Sequence, residues 1–197
     1  MKKIFLIGDS IRFGAPSISP GYGVYVKEKL ADKAIVYAPN ENCRFTQYTL
    51  RYLHEWTWSI PNKEEIDVVH WNNGLWDVLR LFGDEPLNEV DYYGKTLVRI
   101  YNRIKLLFPN AKVIFALSTS VKEEWGKKDF FRYNSEIDLY NQKAMEVLSP
   151  LGVEINDLNS ITKTFDDSLR CDWVHYGEEG SKILADAVIK KCFEVMQ

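Results

Sequence analysis

Two short clusters of polar residues, near opposite ends of the chain, carry the side chains of a nucleophilic reaction. Gly8-Asp9-Ser10 follows an apolar run, and Asp172-x-x-His175 precedes a long amphipathic segment. A serine hydroxyl attacks a carbonyl at neutral pH only when a base takes its proton, and a histidine oriented by an acid is such a base. Asp172 can reach the imidazole within one turn of chain. These residue types and spacings indicate acyl transfer, with Ser10 as nucleophile, His175 as base and Asp172 as the orienting acid.

The elements that must position these clusters alternate along the chain. Short apolar runs, typical of strands buried on both faces of a parallel sheet, lie at Lys3–Ile7, Ala34–Ala38, Asp67–Trp71, Lys112–Leu117 and Val153–Asn156. Amphipathic segments predict helices at Tyr22–Leu30, Thr46–Trp58, Val90–Phe108, Ser135–Leu148 and Glu178–Val195. The alternation predicts an α/β fold in one domain over residues 1–197. We expect a three-layer α/β/α sandwich of the flavodoxin-like kind around a five-stranded parallel sheet.

The predicted sheet brings several polar segments to one edge. The carboxyl ends of parallel strands meet there, so Ser10, the segment 40–44 and the segment 72–74 are expected to converge. The segment 172–175 precedes the last helix and can fold over the same edge. Two irregular segments, Arg12–Gly21 and Ser118–Tyr133, also follow strands, and the length and aromatic content of the second favour a functional loop.

The positions of these clusters resemble the sequence blocks of the SGNH hydrolases, also called GDSL-like esterases and lipases, over nearly the whole chain. Gly8-Asp9-Ser10-Ile11 matches the first block, and Asp172-x-x-His175 matches the last. The third block, usually Gly-x-Asn-Asp, is His70-Trp71-Asn72-Asn73 here, so a histidine replaces the glycine and an asparagine replaces the acid. In the second block the family glycine falls on Cys43, followed by Arg44.

The resemblance implies a role for each matched residue. It implies the same triad of Ser10, His175 and Asp172, and an oxyanion hole built from the backbone N–H groups of Ser10 and Cys43 and the side-chain amide of Asn72. If the alignment of this block is shifted by one residue, Asn73 supplies the amide instead of Asn72. Asn73-Gly74 is also a common turn sequence, which needs no catalytic role. The absence of a G-x-S-x-G elbow in the sequence argues against an α/β-hydrolase.

Further residues beside the motifs are candidates for substrate binding. Arg12 and Arg44 can orient an anionic substrate, although a structural role is the simpler interpretation. Four tryptophans that flank the motif segments can stack a sugar ring or hold an acyl chain, and core packing explains them equally well. The full set of candidates is Asp9, Arg12, Arg44, Asn73, Trp71, Trp76, Trp125 and Trp173.

Composition excludes several classes of protein. A net charge of −3 without a basic stripe argues against nucleic acid as a partner, and the absence of a polybasic cluster argues against a membrane surface. Three scattered cysteines suit a reducing compartment, and the first apolar run ends at Ile7, too soon for an export signal, so we expect a cytoplasmic protein. His54 and His70 lack metal-ligand spacing, and Gly21-x-Gly23 lacks the third glycine of a dinucleotide loop. No metal or cofactor is expected.

The sequence thus predicts a serine esterase whose partner is a small-molecule ester. We expect a short acyl group, such as acetyl, on a carbohydrate-like alcohol. Departures from the family pattern at Cys43, His70 and Asn73 leave open a non-catalytic module of the same fold that binds a glycan or another small ligand. Cys43 as a nucleophile paired with His175 and a flavodoxin-like cofactor binder are weaker hypotheses.

Overall fold

The computed structural model describes residues 1–15 and 19–197, so residues 16–18 of the predicted loop Arg12–Gly21 lie outside the described part. Its central element is a five-stranded, all-parallel sheet with the strand order β4-β1-β5-β7-β9. Two small antiparallel pairs, β2 with β3 and β6 with β8, lie outside this sheet. The strands are β1 (Lys2–Ile7), β2 (Gly14–Ala15), β3 (Ser19–Pro20), β4 (Ala34–Tyr37), β5 (Val68–Trp71), β6 (Arg80–Leu81), β7 (Lys112–Ala116), β8 (Phe130–Phe131) and β9 (Glu154–Asn156).

Helices flank the sheet in two groups. In one group α3 packs against α4 and α4 against α5, and in the other α2 packs against α7. The helices are α1 (Ser10–Phe13), α2 (Tyr22–Lys29), α3 (Thr46–Trp56), α4 (Val90–Leu107), α5 (Asn134–Leu148), α6 (Leu158–Lys163) and α7 (Glu178–Val195). None of the helices in the described ranges is long and apolar enough to cross a membrane.

Burial explains why these segments form these elements. Ile4–Ile7 of β1 are fully buried, as are all residues of β5, which is the pattern of strands covered on both faces. Along α4, Leu97, Ile100 and Ile104 repeat at helical spacing and have no solvent exposure. Because the sheet and both helix groups contribute to one continuous apolar cluster, the core lies directly beneath the polar strand ends.

The predicted architecture is confirmed. All five predicted strands and all five predicted helices are present, and each boundary lies within two residues of its predicted position. The sequence pattern did not predict α1, α6 or the two small antiparallel pairs, which are too short to show a hydrophobic period.

The strand order creates a crevice at the carboxyl end of β1. The chain runs from β1 to β4 on one side of the sheet and then to β5 on the other side of β1. In open α/β sheets, ligands bind at such a reversal, outside the carboxyl ends of the strands. Ser10 lies there, three residues after the end of β1.

Candidate active site

The structure brings Ser10, His175 and Asp172 into one hydrogen-bonded chain. The Oγ atom of Ser10 lies 2.8 Å from Nε2 of His175, and Nδ1 of His175 lies 2.7 Å from Oδ2 of Asp172. A carboxylate can only accept, so Nδ1 carries the proton and Nε2 is left to accept from the serine hydroxyl. The geometry is that of a nucleophile, a base and a residue that orients the base.

Local backbone geometry holds Asp172 in its charged form. Its Oδ1 accepts the backbone N–H groups of Val174 and His175, each at 2.7 Å, while Oδ2 faces the imidazole. Partial burial raises the pKa of Asp172, but the hydrogen bonds from the side chain and backbone of His175 and from the backbone of Val174 outweigh burial and lower it to about 2. Asp172 is therefore ionised at neutral pH.

The loop after β7 fixes the segment that carries His175. The Ser120 carbonyl accepts the Tyr176 hydroxyl at 2.7 Å and Nη1 of Arg170 at 3.2 Å. The backbone N–H of Lys122 donates to the Trp173 carbonyl at 2.7 Å. These bonds place the base over the strand ends, so the segment Ser118–Tyr133 shapes the site.

Asp9 caps α1, the short helix that begins at Ser10. It is fully buried, precedes α1 and accepts the backbone N–H of Ile11 at 2.9 Å through Oδ1. Burial raises the pKa of Asp9, and the nearby Arg132, His175 and Arg12 act in the opposite direction. Because its side chain is enclosed and caps the turn that carries Ser10, Asp9 is a structural residue; its prediction as a substrate contact is wrong.

Asn72 and Asn73 have separate tasks. The backbone N–H of Asn72 donates to the Ile7 carbonyl at 3.1 Å, which places Asn72 beside the end of β1. Its Nδ2 donates to the Ala116 carbonyl at 3.3 Å, and since an amide nitrogen carries two hydrogens, one donor remains. Asn73 is fully buried and accepts from Nε1 of Trp71 at 2.7 Å.

The nitrogen end of the Asn73 amide is fully used as well. Its Nδ2 donates to the Arg44 carbonyl at 2.8 Å and to Oγ1 of Thr49 at 3.0 Å. The prediction of Asn73 as a substrate contact is therefore wrong, since its amide ties the turn at 43–46 to β5. Of the two amides, Asn72 is the one with a donor to spare.

The turn at 43–46, which was predicted to supply a second backbone donor through Cys43, has a different hydrogen-bonding pattern. The N–H of Cys43 donates to the Gly8 carbonyl at 3.1 Å, so in this structure it is not directed at an oxyanion. The left-handed residue of the turn is Arg44, with φ 49°, and its N–H donates to Oδ1 of Asn42 at 2.8 Å. The Cys43 thiol is buried, and burial raises its pKa to about 11, which does not suit a nucleophile.

The two arginines predicted to face the substrate differ in burial: Arg12 is buried, whereas Arg44 is exposed. Arg12 is 4% exposed, and its guanidinium donates to the carbonyls of Pro39 at 2.8 Å and Glu41 at 2.5 Å. The prediction of Arg12 as a substrate contact is wrong because it joins the ends of β1 and β4. Arg44 is exposed, and its guanidinium lies 5.0 Å from the ring centre of Tyr48.

The four candidate tryptophans do not form one pocket. Trp71 is fully buried and packs edge to face on Phe115 at 4.8 Å, so its prediction as a pocket residue is wrong and it belongs to the core. Trp125 is 44% exposed, with the Lys122 ammonium 5.8 Å from its ring centre. Of the four, Trp76 and Trp173 both lie near one residue that was not among the sequence candidates.

That residue is Arg132, which is 2% exposed. Its guanidinium carbon lies 5.9 Å, 5.1 Å and 5.4 Å from the ring centres of Trp76, Phe130 and Trp173, which we call the aromatic cage. Nε donates to the Leu75 carbonyl. Burial lowers the pKa of Arg132 to about 10, opposed by the nearby carboxylates of Asp9 and Asp172. No motif surrounds this arginine, and only its aromatic neighbours in the sequence hint at a role.

His70, which replaces the family glycine, is a core residue. It is fully buried in β5, and its Nε2 lies 3.1 Å from Nδ2 of Asn156. Burial lowers the pKa of His70 to about 3, so the ring is neutral and takes no part in acid–base chemistry near pH 7.

Solved structures with this fold are numerous, although no protein-family model matches the chain and no curated protein matches it in sequence. A lipase/acylhydrolase from Enterococcus faecalis is 20% identical, with a TM-score of 0.75 over 97% of this chain and 95% of that one. An acetyl xylan esterase, AlAXEase, is 16% identical, with a TM-score of 0.72 over 96% of this chain and 98% of that one.

A member of the lipolytic G-D-S-L family from Veillonella parvula is also 16% identical, with a TM-score of 0.72 over 96% of this chain and 97% of that one. At such identities the similarity is one of fold, and it extends over nearly the whole of each chain. The chain has the fold of the GDSL-type (SGNH) acylhydrolases, as its sequence blocks predicted.

Proposed function

We propose that this protein is a serine esterase that hydrolyses a small carboxylic ester through an acyl-enzyme on Ser10. The observation that carries the proposal is the continuous hydrogen-bonded chain from Ser10 Oγ through His175 to Asp172, with links of 2.8 Å and 2.7 Å. The names of the structural neighbours, lipase/acylhydrolase and acetyl xylan esterase, support the same reaction class.

The first half of the reaction forms the acyl-enzyme. Ser10 Oγ bonds to the ester carbonyl carbon while its proton passes to Nε2 of His175. The resulting imidazolium is stabilised by the Asp172 carboxylate, which stays ionised. When the tetrahedral intermediate collapses, the bond to the alcohol oxygen breaks, and the alcohol leaves with the proton from Nε2. A water then repeats these steps to release the acid and regenerate Ser10.

The negative charge on the carbonyl oxygen needs hydrogen-bond donors. The N–H of Ser10, at the first position of α1, has no acceptor among the described residues, and Asn72 keeps one amide hydrogen free. We assign these two groups to the oxyanion. Arg44 N–H becomes a third donor when its acceptor, the Asn42 side chain, turns away, whereas Cys43 N–H is held by Gly8.

A short acyl group on a carbohydrate-like alcohol remains our proposal for the substrate. The recess that touches Ser10 and His175 is narrow, and its lining combines the small residues Gly14, Ala15 and Gly21 with the larger Ile11 and Tyr176. A narrow recess favours a short acyl chain. One structural neighbour is named for acetyl groups on xylan, which supports acetyl as the acyl group and a sugar as the alcohol.

The test is hydrolysis of p-nitrophenyl acetate and its longer-chain homologues by the wild type and by Ser10→Ala. We expect hydrolysis that Ser10→Ala abolishes and that declines with acyl length. Ser59→Ala is the matched control, because Ser59 is exposed and distant in sequence from the site. A fluorophosphonate probe should label the wild type and Ser59→Ala, but not Ser10→Ala.

Equal rates for wild type and Ser10→Ala, together with no labelling, would overturn the esterase proposal. That result would favour a non-catalytic binding module with this fold.

A further inference from the structure

Arg132 is a buried cation that the proposed reaction does not use. It lies at the end of β8, inside the aromatic cage, and it forms no ion pair with any carboxylate in the described part of the chain. Of its donors, Nε is bonded to the Leu75 carbonyl, whereas Nη1 is buried and has no partner among residues 1–15 and 19–197. A guanidinium presents five N–H groups, so most of its hydrogen-bonding capacity is unused.

The nearby carboxylates do not neutralise this charge by contact. Asp172 gives one oxygen to His175 Nδ1 and the other to two backbone N–H groups. Asp9 gives Oδ1 to Ile11 N–H, and its Oδ2 is buried without a hydrogen-bond partner among the described residues, so it does not bond to Arg132 either. A buried charge without a bonded counter-ion is costly, and aromatic faces compensate for only part of that cost. Such a group is most easily explained if an anion binds it during function.

The position of Arg132 ties it to the reacting groups. Leu75, which holds its Nε, follows Asn72 by three residues, and Trp173 of the cage directly follows Asp172. The carboxylates of Asp9 and Asp172, which directly precede Ser10 and Trp173 in the sequence, raise the pKa of Arg132. Arg132 therefore contacts Leu75 and Trp173, which belong to the segments that carry Asn72 and Asp172.

We propose that Arg132 determines specificity by binding a carboxylate carried by the substrate, so that this protein acts preferentially on esters with an anionic group near the scissile bond. This inference rests on the proposed esterase function and narrows its substrate class. The planar fork of arginine matches a carboxylate in two parallel hydrogen bonds, and hydrogen bonds to a buried group such as Arg132 are stronger than those in water.

Two matched ester pairs test the proposal. Mono-p-nitrophenyl succinate and its methyl ester place the carboxylate, or its neutral equivalent, on the acyl side. Acetylsalicylate and methyl acetylsalicylate place it on the alcohol side. The rate of Ser10→Ala is subtracted from each to remove uncatalysed hydrolysis. In at least one pair, we expect the wild type to prefer the anionic member by about tenfold or more in kcat/KM.

The variant for this test is Arg132→Met, which keeps an apolar side chain of similar length in the aromatic cage. We expect it to lower the ratio of kcat/KM for the anionic ester to that for the neutral ester by about 10- to 100-fold, mostly through a higher KM for the anionic ester. Arg99→Met, at an exposed position on α4, should keep the wild-type ratio. No anionic preference in the wild type, or an equal loss on both members of each pair, would overturn the proposal.

A binding measurement separates this proposal from the esterase proposal and does not depend on turnover. Trp76 and Trp173 face the guanidinium, so saturation with succinate or benzoate should change tryptophan fluorescence in the wild type and in Ser10→Ala, but not in Arg132→Met. If Arg132→Met fails to fold, Arg132→Lys takes its place, with the anion affinity expected to fall because the fork is lost. Absence of a saturable signal in the wild type, measured against chloride at matched ionic strength, would contradict carboxylate binding.

Discussion

Single residues at this site divide their polar atoms between holding the backbone and serving the reaction. Asp172 uses one oxygen to fix its own turn and the other to orient His175. Asn73 uses its whole amide for structure, whereas Asn72 keeps one donor free. Because neighbours in sequence have such different bonding, single substitutions should separate catalysis from stability.

Asp172→Asn should lower kcat by about 10³- to 10⁴-fold. An amide at this position can donate to Nδ1, which favours the tautomer with the proton on Nε2, and that nitrogen can no longer accept from Ser10. The two backbone N–H groups can still bond to the amide oxygen, so the fold should be retained. The measurement is steady-state hydrolysis beside a thermal unfolding curve. An unchanged kcat would rule out the orienting role of Asp172.

Asn72→Ala should mainly lower kcat, whereas Asn73→Ala should mainly lower stability. Asn72→Ala removes an oxyanion donor, and we expect kcat to fall about 10²- to 10³-fold with a small change in stability. Asn73→Ala removes the hydrogen bonds to Nε1 of Trp71, the Arg44 backbone carbonyl and Oγ1 of Thr49, and it should lower the free energy of unfolding by about 2–4 kcal/mol. Urea unfolding and kcat are measured for both variants. The reverse pattern would assign the oxyanion to Asn73.

Sequence reasoning predicted that Ser10, His175 and Asp172 come together, because these residues occupy recognisable positions relative to strands and helices, and their side chains are hydrogen-bonded in the structure. It left the roles of Arg12, Trp71 and Cys43 open, because their partners are distant in sequence: the Arg12 guanidinium donates to the carbonyls of Pro39 and Glu41, Trp71 packs on Phe115, and Cys43 N–H donates to the Gly8 carbonyl. Arg132 escaped notice because a loop arginine has no periodicity or motif, and its burial arises only when β8 packs against Trp173.

At the scale of elements, α3 depends on a cap from outside its own chain segment. Phe45, at the N-cap position, has no side-chain acceptor, and Asp77 takes over this task. Oδ1 of Asp77 accepts the Thr46 N–H at 3.1 Å, the Thr46 hydroxyl at 2.6 Å and Nδ2 of Asn88 at 2.6 Å. The start of α3, and with it the turn at 43–46, is thus fixed by a buried carboxyl group.

Asp77 should make stability depend on pH. Burial raises its pKa from 3.8 to about 6, although the bonds from Thr46 and Asn88 oppose the rise. The folded state therefore binds more protons than the unfolded state between about pH 4 and pH 6, and the Asp77 contribution to stability falls as pH rises through that window. Asp77→Asn should remove this fall, of the order of 1–3 kcal/mol.

Urea unfolding of the wild type and Asp77→Asn between pH 4 and pH 7 measures this contribution. The free energy of unfolding of Asp77→Asn minus that of the wild type should increase as pH rises, and it should become constant above about pH 6. Asp129→Asn, at an exposed position, is the control and should follow the wild type. A constant difference between Asp77→Asn and the wild type across the range would contradict the buried-carboxyl explanation.

Element boundaries were predictable where the hydrophobic pattern is long. The repeat Leu97, Ile100 and Ile104 marks α4 clearly, and the unbroken apolar run of β1 marks a strand covered on both faces. In contrast, α1 consists of four residues held by the Asp9 cap, and β6 pairs with β8 only because the loop after β7 folds back over the site. Such short elements are stabilised by tertiary contacts, so the hydrophobic pattern of the sequence does not predict them.

At the scale of the whole molecule, the reacting pair links distant parts of the chain. Ser10 and His175 are 165 residues apart in sequence, yet their side chains share a hydrogen bond. The strand that precedes Ser10 lies inside the sheet, and the segment that carries His175 is fastened to the loop after β7 through Ser120. The catalytic contact therefore depends on the sheet and the loop at the same time.

Activity and global structure should be lost together in urea. We expect the midpoint for loss of ester hydrolysis to coincide with the midpoint for loss of tryptophan fluorescence and far-UV circular dichroism, as in a two-state transition. Activity that disappears at a lower urea concentration would show that the segment around His175 opens before the sheet unfolds.

The left-handed backbone of Arg44 has a consequence for how this turn tolerates change. With φ 49°, an L-residue other than glycine is strained there by roughly 1–2 kcal/mol, and the Arg44 side chain is exposed. In most structured segments, truncation to glycine is among the more damaging substitutions, by about 0.5–1 kcal/mol relative to alanine. At position 44 the ranking is inverted. In a scan of every amino acid at this position, we expect glycine to be the mildest replacement and the β-branched residues valine and isoleucine to be the harshest, so the mutational profile of this one residue should report the backbone geometry of a turn that is bonded to Gly8.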